Sequence, residues 1–336
     1  MTSAASLGVT LLAEGSIDFN VSGVIDQFWR LTVDGLTYGS IYALVAVGYT
    51  LVYGVLRLIN FAHSEIFMLG MFGTYVGLEL LGFAPSGNVY SQGVGLTVLY
   101  LGLAMLFGML VSGIAAVGLE RVAYRPLRKR GAKPLAFLIT AIGASLFISE
   151  VVGVTTHRNQ TGVPPIIQAR PLFTIGDTTV TNLQVLIILL ALVMMFALDR
   201  FINGSRLGRG VRAVAQNPDS AALMGVNKSR VIALVFLLGG LMAGIAAVMY
   251  DLKIGVTRYD AGFLLGIDAF TAAVLGGIGN LRGALLGGLL LGVLQNYAAG
   301  LFGSQWLHAA SFVLLVVILL FRPTGLLGES LGRSRA

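Results

Sequence analysis

Ionisable side chains lie inside strongly apolar stretches at three positions, which are the first candidates for chemistry. His63 and Glu65 fall in NFAHSEIFML, and Asp268 falls in FLLGIDAFTAAVL. Such groups are costly in a lipid-like environment and usually face a cavity, a partner or an interface. His63, Ser64 and Glu65 are suited to cap the start of a helix, whose positive dipole end favours a carboxylate; a proton relay is the alternative. For Asp268, a hydrogen-bonded structural role and a role in moving a solute both stay open.

Catalytic and metal-binding patterns are missing from the chain. It has no GxxxxGK[ST] phosphate loop, no HExxH and no GxSxG, so nothing indicates hydrolysis of ATP, a peptide or an ester. It has no cysteine, and the other histidines, His157 and His308, have no ligand neighbours at a useful spacing. Glu79 and Glu150 lie near predicted helix ends, where an interfacial position is favoured. We expect no catalysis, metal or cofactor, so active transport would draw on an ion gradient or another subunit.

The composition is that of a polytopic integral membrane protein. Of the 336 residues, 56% are hydrophobic and only 11% are charged, and the mean hydropathy is +0.87. A soluble domain of this length needs a charged surface that this chain cannot supply. The net charge of +7 does not indicate nucleic-acid binding, because the basic residues concentrate in loops between apolar segments, as the positive-inside bias predicts.

Nine apolar segments are long enough to be considered as spans, since about 20 helical residues cross the hydrocarbon layer. They run from Leu31 to Leu56, Phe61 to Gly82, Gly93 to Leu119, Pro134 to Val154, Leu183 to Leu198, Val231 to Tyr250, Ala261 to Gly279, Gly283 to Gly303 and Trp306 to Phe321. The break at 280–282 would also fit a re-entrant hairpin, so the sequence predicts eight to ten spans. The predicted fold class is an all-α, polytopic membrane helical bundle.

Orientation follows from the positions of lysine and arginine. The segments Glu120 to Lys133 and Asp199 to Arg230 and the C-terminal tail are basic, whereas the stretch before the first span is acidic. Nine spans with the N-terminus outside put all three basic segments in the cytoplasm. The predicted divisions are an extracytoplasmic segment 1–30, a transmembrane domain 31–322 with a cytoplasmic loop 199–230, and a cytoplasmic tail 323–336. The first residues lack a basic region, so no cleaved signal is expected.

The loop 199–230 contains a predicted short helix. Asn217 can cap its start, Pro218 suits the first helical position, and Gly225 can end it in the left-handed conformation. A loop of this length exceeds what neighbouring helices need, and a helix with small residues such as Ala221 and Ala222 can seat in a partner's groove. A docking element is therefore favoured over a solvated connector.

Glycine is densest in VLGGIGNLRGALLGGLLLG, which contains Gly276, Gly277, Gly279, Gly283 and Gly287. The last three recur every four residues and are predicted to share one helical face. Small residues let membrane helices approach closely. A static helix pair and a helix that slides against its neighbour fit this spacing equally well.

Three segments in this order resemble the membrane permeases of branched-chain amino-acid ABC importers, specifically the LivH-type subunit. They are GLTYGSIYALVAVGYTLVYGVLRLINFAHSEIFMLG, AVAQNPDSAALMGVNKSRVIALVF and GIDAFTAAVLGGIGNLRGALLGGLLLG, and the likeness runs from Gly35 to Gly328. Importers of urea and short amides share the pattern. Ser64 departs from it, because the family more often has glycine after the histidine.

The resemblance implies a non-catalytic subunit in the cell inner membrane, surrounded by membrane lipid. Its expected partners are a LivM-type second permease, two cytoplasmic ATPase subunits, an extracytoplasmic substrate-binding protein and an amino-acid substrate. The helix from Asn217 to Gly225 corresponds to the family's coupling region, with Ala221, Ala222 and Gly225 as the expected docking residues. Two other classes stay open: an ion-coupled secondary transporter that uses Glu65 or Asp268, and a channel for a small neutral solute.

Overall fold

The computed structural model describes residues 19–83 and 93–328. The helices are α1 (Val21–Asp26), α2 (Phe28–Leu56), α3 (His63–Leu80), α4 (Val94–Leu119), α5 (Arg125–Lys129), α6 (Pro134–Thr155), α7 (Asn182–Gly204), α8 (Arg206–Gln216), α9 (Pro218–Leu223), α10 (Lys228–Ile254), α11 (Ala261–Gly276), α12 (Leu281–Phe302) and α13 (Leu307–Phe321). The strands are β1 (Thr161–Gly162), β2 (Pro171–Ile175), β3 (Thr178–Thr181) and β4 (Val256–Thr257). Residues 1–18 of the predicted N-terminal segment and 329–336 of the predicted tail lie outside the described residues.

Helices occupy all nine predicted apolar segments, which confirms the all-α membrane bundle. Within the described ranges, seven helices are long and apolar enough to cross a membrane. One of the seven is α13 together with the 3-10 turn at Ser304–Trp306 that precedes it, 18 residues in all. The other two predicted segments hold α3, with 18 residues, and α11, with 16, which are not among the seven. Helix is the expected form because it satisfies every backbone polar group internally where no water is available. Helix α7, which lies in the fifth predicted segment, continues to Gly204, past the predicted end at Leu198. The sequence prediction stops earlier because polar residues follow Leu198 and lower the local hydropathy.

The prediction that Glu120 to Lys133 forms a loop is wrong for most of this segment. A π-helical turn at Glu120–Tyr124 joins α4 to α5. The three pieces form one continuous helix of 36 residues, from Val94 to Lys129, whose first part is apolar and whose last turns are basic. Helical hydrogen bonds continue beyond the apolar part because the backbone carries them regardless of side-chain polarity. The Glu120 carboxylate accepts from Arg128 Nη2 at 2.8 Å across this turn, which gives the buried acid a partner.

Glycines bring the central helices into backbone contact. On α2, Gly35 and Gly39 lie against the main chain of α12 at Gly292 and Gly288. Residue numbers rise along α2 from Gly35 to Gly39 while they fall along α12 from Gly292 to Gly288, so the two helices are antiparallel. On α10, Gly244 packs against the Gly108 region of α4 in the same way. Without a hydrophobic force between helices in lipid, such close approach supplies the packing energy.

Polar contacts tie the two ends of the bundle. At the end where α2 begins, Asp34 Oδ1 accepts from Lys253 Nζ at 2.9 Å and from Gln184 Nε2 at 3.1 Å. At the opposite end, Asp199 at the close of α7 pairs with Arg282 at the start of α12, 3.0 Å apart. These contacts fix the relative height of four helices.

Two small antiparallel ladders lie in the connections, and the sequence did not predict them. Strands β2 and β3 form a hairpin, and β1 pairs with β4. The hairpin turns at Gly176, whose φ of +58° lies in the left-handed region that favours glycine. The hairpin leads directly into α7, whose first turn is closed by a capping box between Thr181 and Gln184.

Candidate functional site

The short helix α9 in the loop 199–230 starts as predicted. The Asn217 side chain accepts hydrogen bonds from the N–H groups of Asp219 and Ser220, at 3.0 and 2.9 Å. Pro218 occupies the first helical position, where the missing N–H has no cost. The capped start makes α9 a defined element although it is only six residues long.

The end of α9 also follows the prediction. Gly225 has a φ of +83° and donates its N–H to the Ala222 carbonyl at 3.0 Å. The N–H of Val226 reaches back to the Ala221 carbonyl, also at 3.0 Å. Together these bonds form the Schellman arrangement, in which a left-handed residue satisfies the last carbonyls of a helix.

The C-terminal end of α9 exposes large apolar side chains. Leu223 and Met224 are 89% and 85% exposed, and sequence reasoning missed both. Ala222 and Gly225 are exposed beside them, whereas Ala221 is only 4% exposed and packs into the chain. Ala221 therefore faces the wrong way for the docking contact predicted for it. The signal available in the sequence was two adjacent large apolar side chains directly before Gly225.

Helix α8 attaches this surface to the membrane part. Arg212 donates to the Ile202 carbonyl and, at 3.2 Å, to Asn203 Oδ1, both at the end of α7. Ser205 caps α8 by accepting from the Gly208 N–H at 2.8 Å. These contacts connect α8 to the end of a membrane-spanning helix.

A second link joins α9 to the start of α10. Lys228 Nζ lies 2.6 Å from Asp219 Oδ1, and this hydrogen bond and positive charge lower the pKa of Asp219. The pair is exposed to solvent, so it orients α9 more than it stabilises the fold.

Asn217→Ala is expected to loosen α9 locally without unfolding the bundle. Loss of a side-chain cap costs about 1 kcal/mol of helix stability. Hydrogen exchange of the amides of residues 219–223 should quicken by roughly fivefold, the equivalent of that energy. Asn159→Ala, in an exposed loop with no capping role, is the matched control; equal exchange in both variants would contradict the cap.

The predicted capping role of His63, Ser64 and Glu65 is wrong. Helix α3 starts after Ala62 with no side-chain cap. Its first turn is closed by main chain instead, with the His63 N–H donating to the Asn60 carbonyl at 3.0 Å. Ser64 Oγ donates to the Phe61 carbonyl at 2.9 Å. The side chains are thereby left for contacts with other helices.

Those contacts cross to three neighbouring helices. Glu65 Oε1 accepts from Ser145 Oγ on α6 at 3.1 Å. The His63 ring packs edge-on against Tyr49 of α2, with centroids 5.0 Å apart, and lies against Gly239 of α10. The sequence placed His63 and Glu65 in one candidate site, but they point to different helices.

Asp268 has the hydrogen-bonded environment that was one of its two predicted roles. It is buried and accepts from Gln295 Nε2 of α12 at 2.8 Å. Its other oxygen lies 2.9 Å from His308 Nδ1 of α13, a histidine that looks isolated in the sequence. Gln295 also bonds to Ser311 Oγ, so one carboxylate connects three helices.

Asp268→Asn is expected to lower stability and to leave the fold intact. The variant loses the charge-assisted part of two hydrogen bonds, a cost of about 1–2 kcal/mol. Thermal unfolding of the purified chain in mild detergent measures it. Asp177→Asn, in the exposed β2–β3 turn, should leave the midpoint unchanged, and an equal midpoint for both variants would show that Asp268 holds nothing together.

The five predicted glycines divide into two groups. Gly276, Gly283 and Gly287 bring α11 and α12 into backbone contact. Gly277 and Gly279 lie in the turn between them, with φ of +105° and +102°. The prediction that Gly279 shares a helical face with Gly283 and Gly287 is therefore wrong. Asn280 explains the break, because it caps α12 by accepting from the N–H groups of Arg282 and Gly283 at 3.0 and 3.1 Å.

The C-terminal segment closes over this turn. The N–H groups of Leu326 and Leu327 donate to the carbonyls of Leu275 and Gly276, at 2.8 and 3.0 Å. Asn280 Nδ2 donates to the Leu327 carbonyl at 2.9 Å. The tail therefore supplies partners for the last carbonyls of α11, a role that no sequence pattern indicated.

Long apolar helices packed around buried polar groups define a multi-pass membrane protein. Among the described residues, no group of three or more histidine or acidic side chains could hold a metal. The chain belongs to the family described as branched-chain amino acid transport system / permease component, whose model matches residues 31–321. It is a protein of the cell inner membrane and part of an ABC transport system.

Similar proteins carry matching names. The chain is 41% identical over 308 residues to the high-affinity branched-chain amino acid transport system permease protein BraD of Pseudomonas aeruginosa, covering 91% of this chain and 97% of that protein. It is 36% identical over 307 residues to the corresponding LivH protein of Escherichia coli, covering 90% and 96%. No solved structure matches the chain.

Proposed function

We propose that this chain is the LivH-type membrane subunit of an ABC importer and moves branched-chain amino acids across the inner membrane. The family match over residues 31–321 carries the proposal, together with relatives named for branched-chain amino acid transport. The subunit itself does not hydrolyse ATP. It contains no phosphate loop, and the energy comes from separate ATPase subunits.

The assembly we propose pairs this subunit with a second, LivM-type permease. Two cytoplasmic ATPases bind beneath the pair, and an extracytoplasmic binding protein delivers the amino acid. In this assembly the N-terminal segment 1–30 is extracytoplasmic, whereas the loop 199–230 and the tail 323–336 lie in the cytoplasm. The excess of arginine and lysine in the loop and tail supports this orientation.

Coupling runs through α9. Leu223 and Met224 seat in a groove of the ATPase, as apolar helix residues do in recognition grooves. Closure of the ATPase pair moves α9, and α8 passes the motion to α7 through Arg212. Rocking of the paired permeases then alternates access to the pathway.

Purification of the complex from native membranes in mild detergent tests this function. Mass spectrometry should find a P-loop ATPase and a second permease bound, with ATP hydrolysis in the preparation. The Gly225→Trp variant should no longer bind the ATPase, although the chain should still insert into the membrane. A bulky residue is strained at a φ of +83°, and it would lie next to the docking residues.

Uptake into reconstituted vesicles identifies the substrate and the energy source. ATP should drive uptake of leucine, isoleucine and valine, and neither urea nor acetamide should compete. A protonophore should leave uptake unchanged. Uptake that a protonophore abolishes would instead identify an ion-coupled transporter, and flux without any ATPase would identify a channel.

A further inference from the structure

Glu65 carries a carboxylate that the fold uses only in part. The residue is 1% exposed, and Oε1 accepts a hydrogen bond from Ser145 Oγ at 3.1 Å. Oε2 is buried and has no hydrogen-bond partner among the described residues. A buried acid without partners is costly in a membrane protein and marks a functional position. Since Glu65 does not cap α3, local structure gives no reason for it.

The carboxylate lies deep within the bundle. Its neighbour His63 packs against Gly48 of α2 and Gly239 of α10. At about 1.5 Å per residue, Gly48 lies about 12 Å from the end of α2, and Gly239 lies about 16 Å from the start of α10. Helix α3 spans about 27 Å and α11 about 24 Å, against roughly 30 Å of hydrocarbon. Helix α11, with 16 residues, is therefore too short to cross the layer. The depth of His63 shows that α3 begins inside it.

Two helix starts converge on Glu65. It lies in the first turn of α3, and Oε2 faces Gly262 in the first turn of α11. A Cβ atom added at Gly262 would lie 2.7 Å from Oε2, so the α11 backbone passes next to the oxygen. The positive ends of both helix dipoles favour an ionised carboxylate at this point. Transporters place the N-termini of interrupted helices against anionic groups near the middle of the membrane, and here the anionic group at the two N-termini is the Glu65 carboxylate itself.

Helix α6 covers the site and lies at the edge of the bundle. Only 17% of its 18-residue apolar stretch is buried, against 83% for α2. Besides the Ser145 contact, Ser149 Oγ donates to the Tyr259 carbonyl at 3.3 Å, and Gly153 packs against the Tyr259 ring. Displacement of α6 would uncover Glu65 and leave the glycine contacts of the central helices in place.

The chemistry of the site selects a cation. The nearby acid Asp260 is already held by Arg258 through bonds of 2.9 and 2.6 Å. Glu65, by contrast, has only a neutral hydroxyl as its partner within residues 19–83 and 93–328. A primary ammonium supplies several donors and forms charge-assisted bonds that are stronger than the bond to serine. We propose that the Glu65 carboxylate binds the ammonium of the amino acid in transit, and that α6 is the movable helix that covers this site. The inference rests on the proposed function, because it names a substrate-binding group within the same pathway.

Transport by the complete transporter in proteoliposomes is the first test. Glu65→Gln should lower ATP-driven leucine uptake by about 30-fold, as loss of one member of a buried charge pair does. Glu150→Gln is the matched control, because it lies on α6 in an exposed pair with Arg158 and should transport normally. Uptake by Glu65→Gln at the rate of the unchanged protein would overturn the proposal.

Ligand binding separates an ammonium site from a structural role. Saturation-transfer NMR on the permease complex without its binding protein compares leucine with 4-methylpentanoate, which has the same carbon skeleton and no ammonium. Leucine should give the stronger signal, and Glu65→Gln should abolish the difference. Equal signals for both ligands with the unchanged protein would overturn the proposal.

A second variant keeps the test decisive if Glu65→Gln fails to insert. Gly262→Ala retains the carboxylate and places a methyl group 2.7 Å from Oε2, so it should reduce the leucine signal in the same way. Gly143→Ala on α6 is its control, because a Cβ there meets nothing within 4 Å. If the unchanged transporter does not take up leucine with ATP, the proposed function fails, whereas the NMR comparison still decides whether Glu65 binds an ammonium.

Discussion

Leu223→Asp is expected to stop ATP-driven amino acid uptake while the membrane bundle stays folded. Leu223 is 89% exposed at the end of α9, so the fold gains almost nothing from its burial. At an interface, by contrast, a large apolar anchor contributes about 2 kcal/mol or more, which corresponds to roughly a 30-fold loss of affinity. A carboxylate in an apolar groove adds a desolvation cost. Met224→Asp should act in the same direction.

The measurement combines uptake with the amount of ATPase that copurifies. Both should fall together, and the thermal unfolding midpoint of the chain should not change. Leu172→Asp is the matched control, because Leu172 is 56% exposed but lies in β2, at the other end of the bundle. Normal uptake by Leu223→Asp would show that α9 is a solvated connector rather than a docking element.

Gly292→Leu is expected to have the largest effect on folding. A Cβ at Gly292 would collide with the Gly35 carbonyl and the Gly39 main chain on α2. Backbone atoms cannot move aside as a flexible side chain can, so α2 and α12 must separate. Overpacking usually costs about 1–3 kcal/mol, and a collision with main chain should exceed that range.

Accumulation in the membrane and the thermal unfolding midpoint in detergent measure this effect. Gly102→Leu in α4 provides a glycine control, because a Cβ at that position meets nothing within 4 Å. The control should accumulate normally, whereas Gly292→Leu should accumulate poorly or unfold at a much lower temperature. Equal midpoints would show that the α2–α12 contact is loose and able to slide.

The start and end of α9 were predictable because both depend on local chemistry. Asn217, Pro218 and Gly225 act on backbone groups within a few residues of themselves, so their types and order are sufficient. The direction in which the helix faces depends on its packing. That packing buries Ala221 and exposes Leu223 and Met224, which reversed the predicted importance of these residues.

The buried polar residues were found from sequence, but their partners were not. An ionisable residue in an apolar run is conspicuous whatever it contacts, which is why His63, Glu65 and Asp268 were candidates. Their partners lie far away in the chain, with Ser145 opposite Glu65 and His308 opposite Asp268. The sequence favours capping of α3 because a local contact is the one kind that a sequence reveals.

By itself, the sequence determined the membrane class, the positions of the apolar helices and the family, because hydrophobicity, helix capping and motif order are properties of neighbouring residues. The tertiary structure alone decided which glycines touch backbone and that the side-chain amide of Gln295 meets Asp268. It also decided that Oε2 of Glu65, which has no hydrogen-bond partner in the described part of the chain, lies against Gly262. Those features arise where helices distant in sequence cross, and crossing geometry depends on the packing of all the helices together.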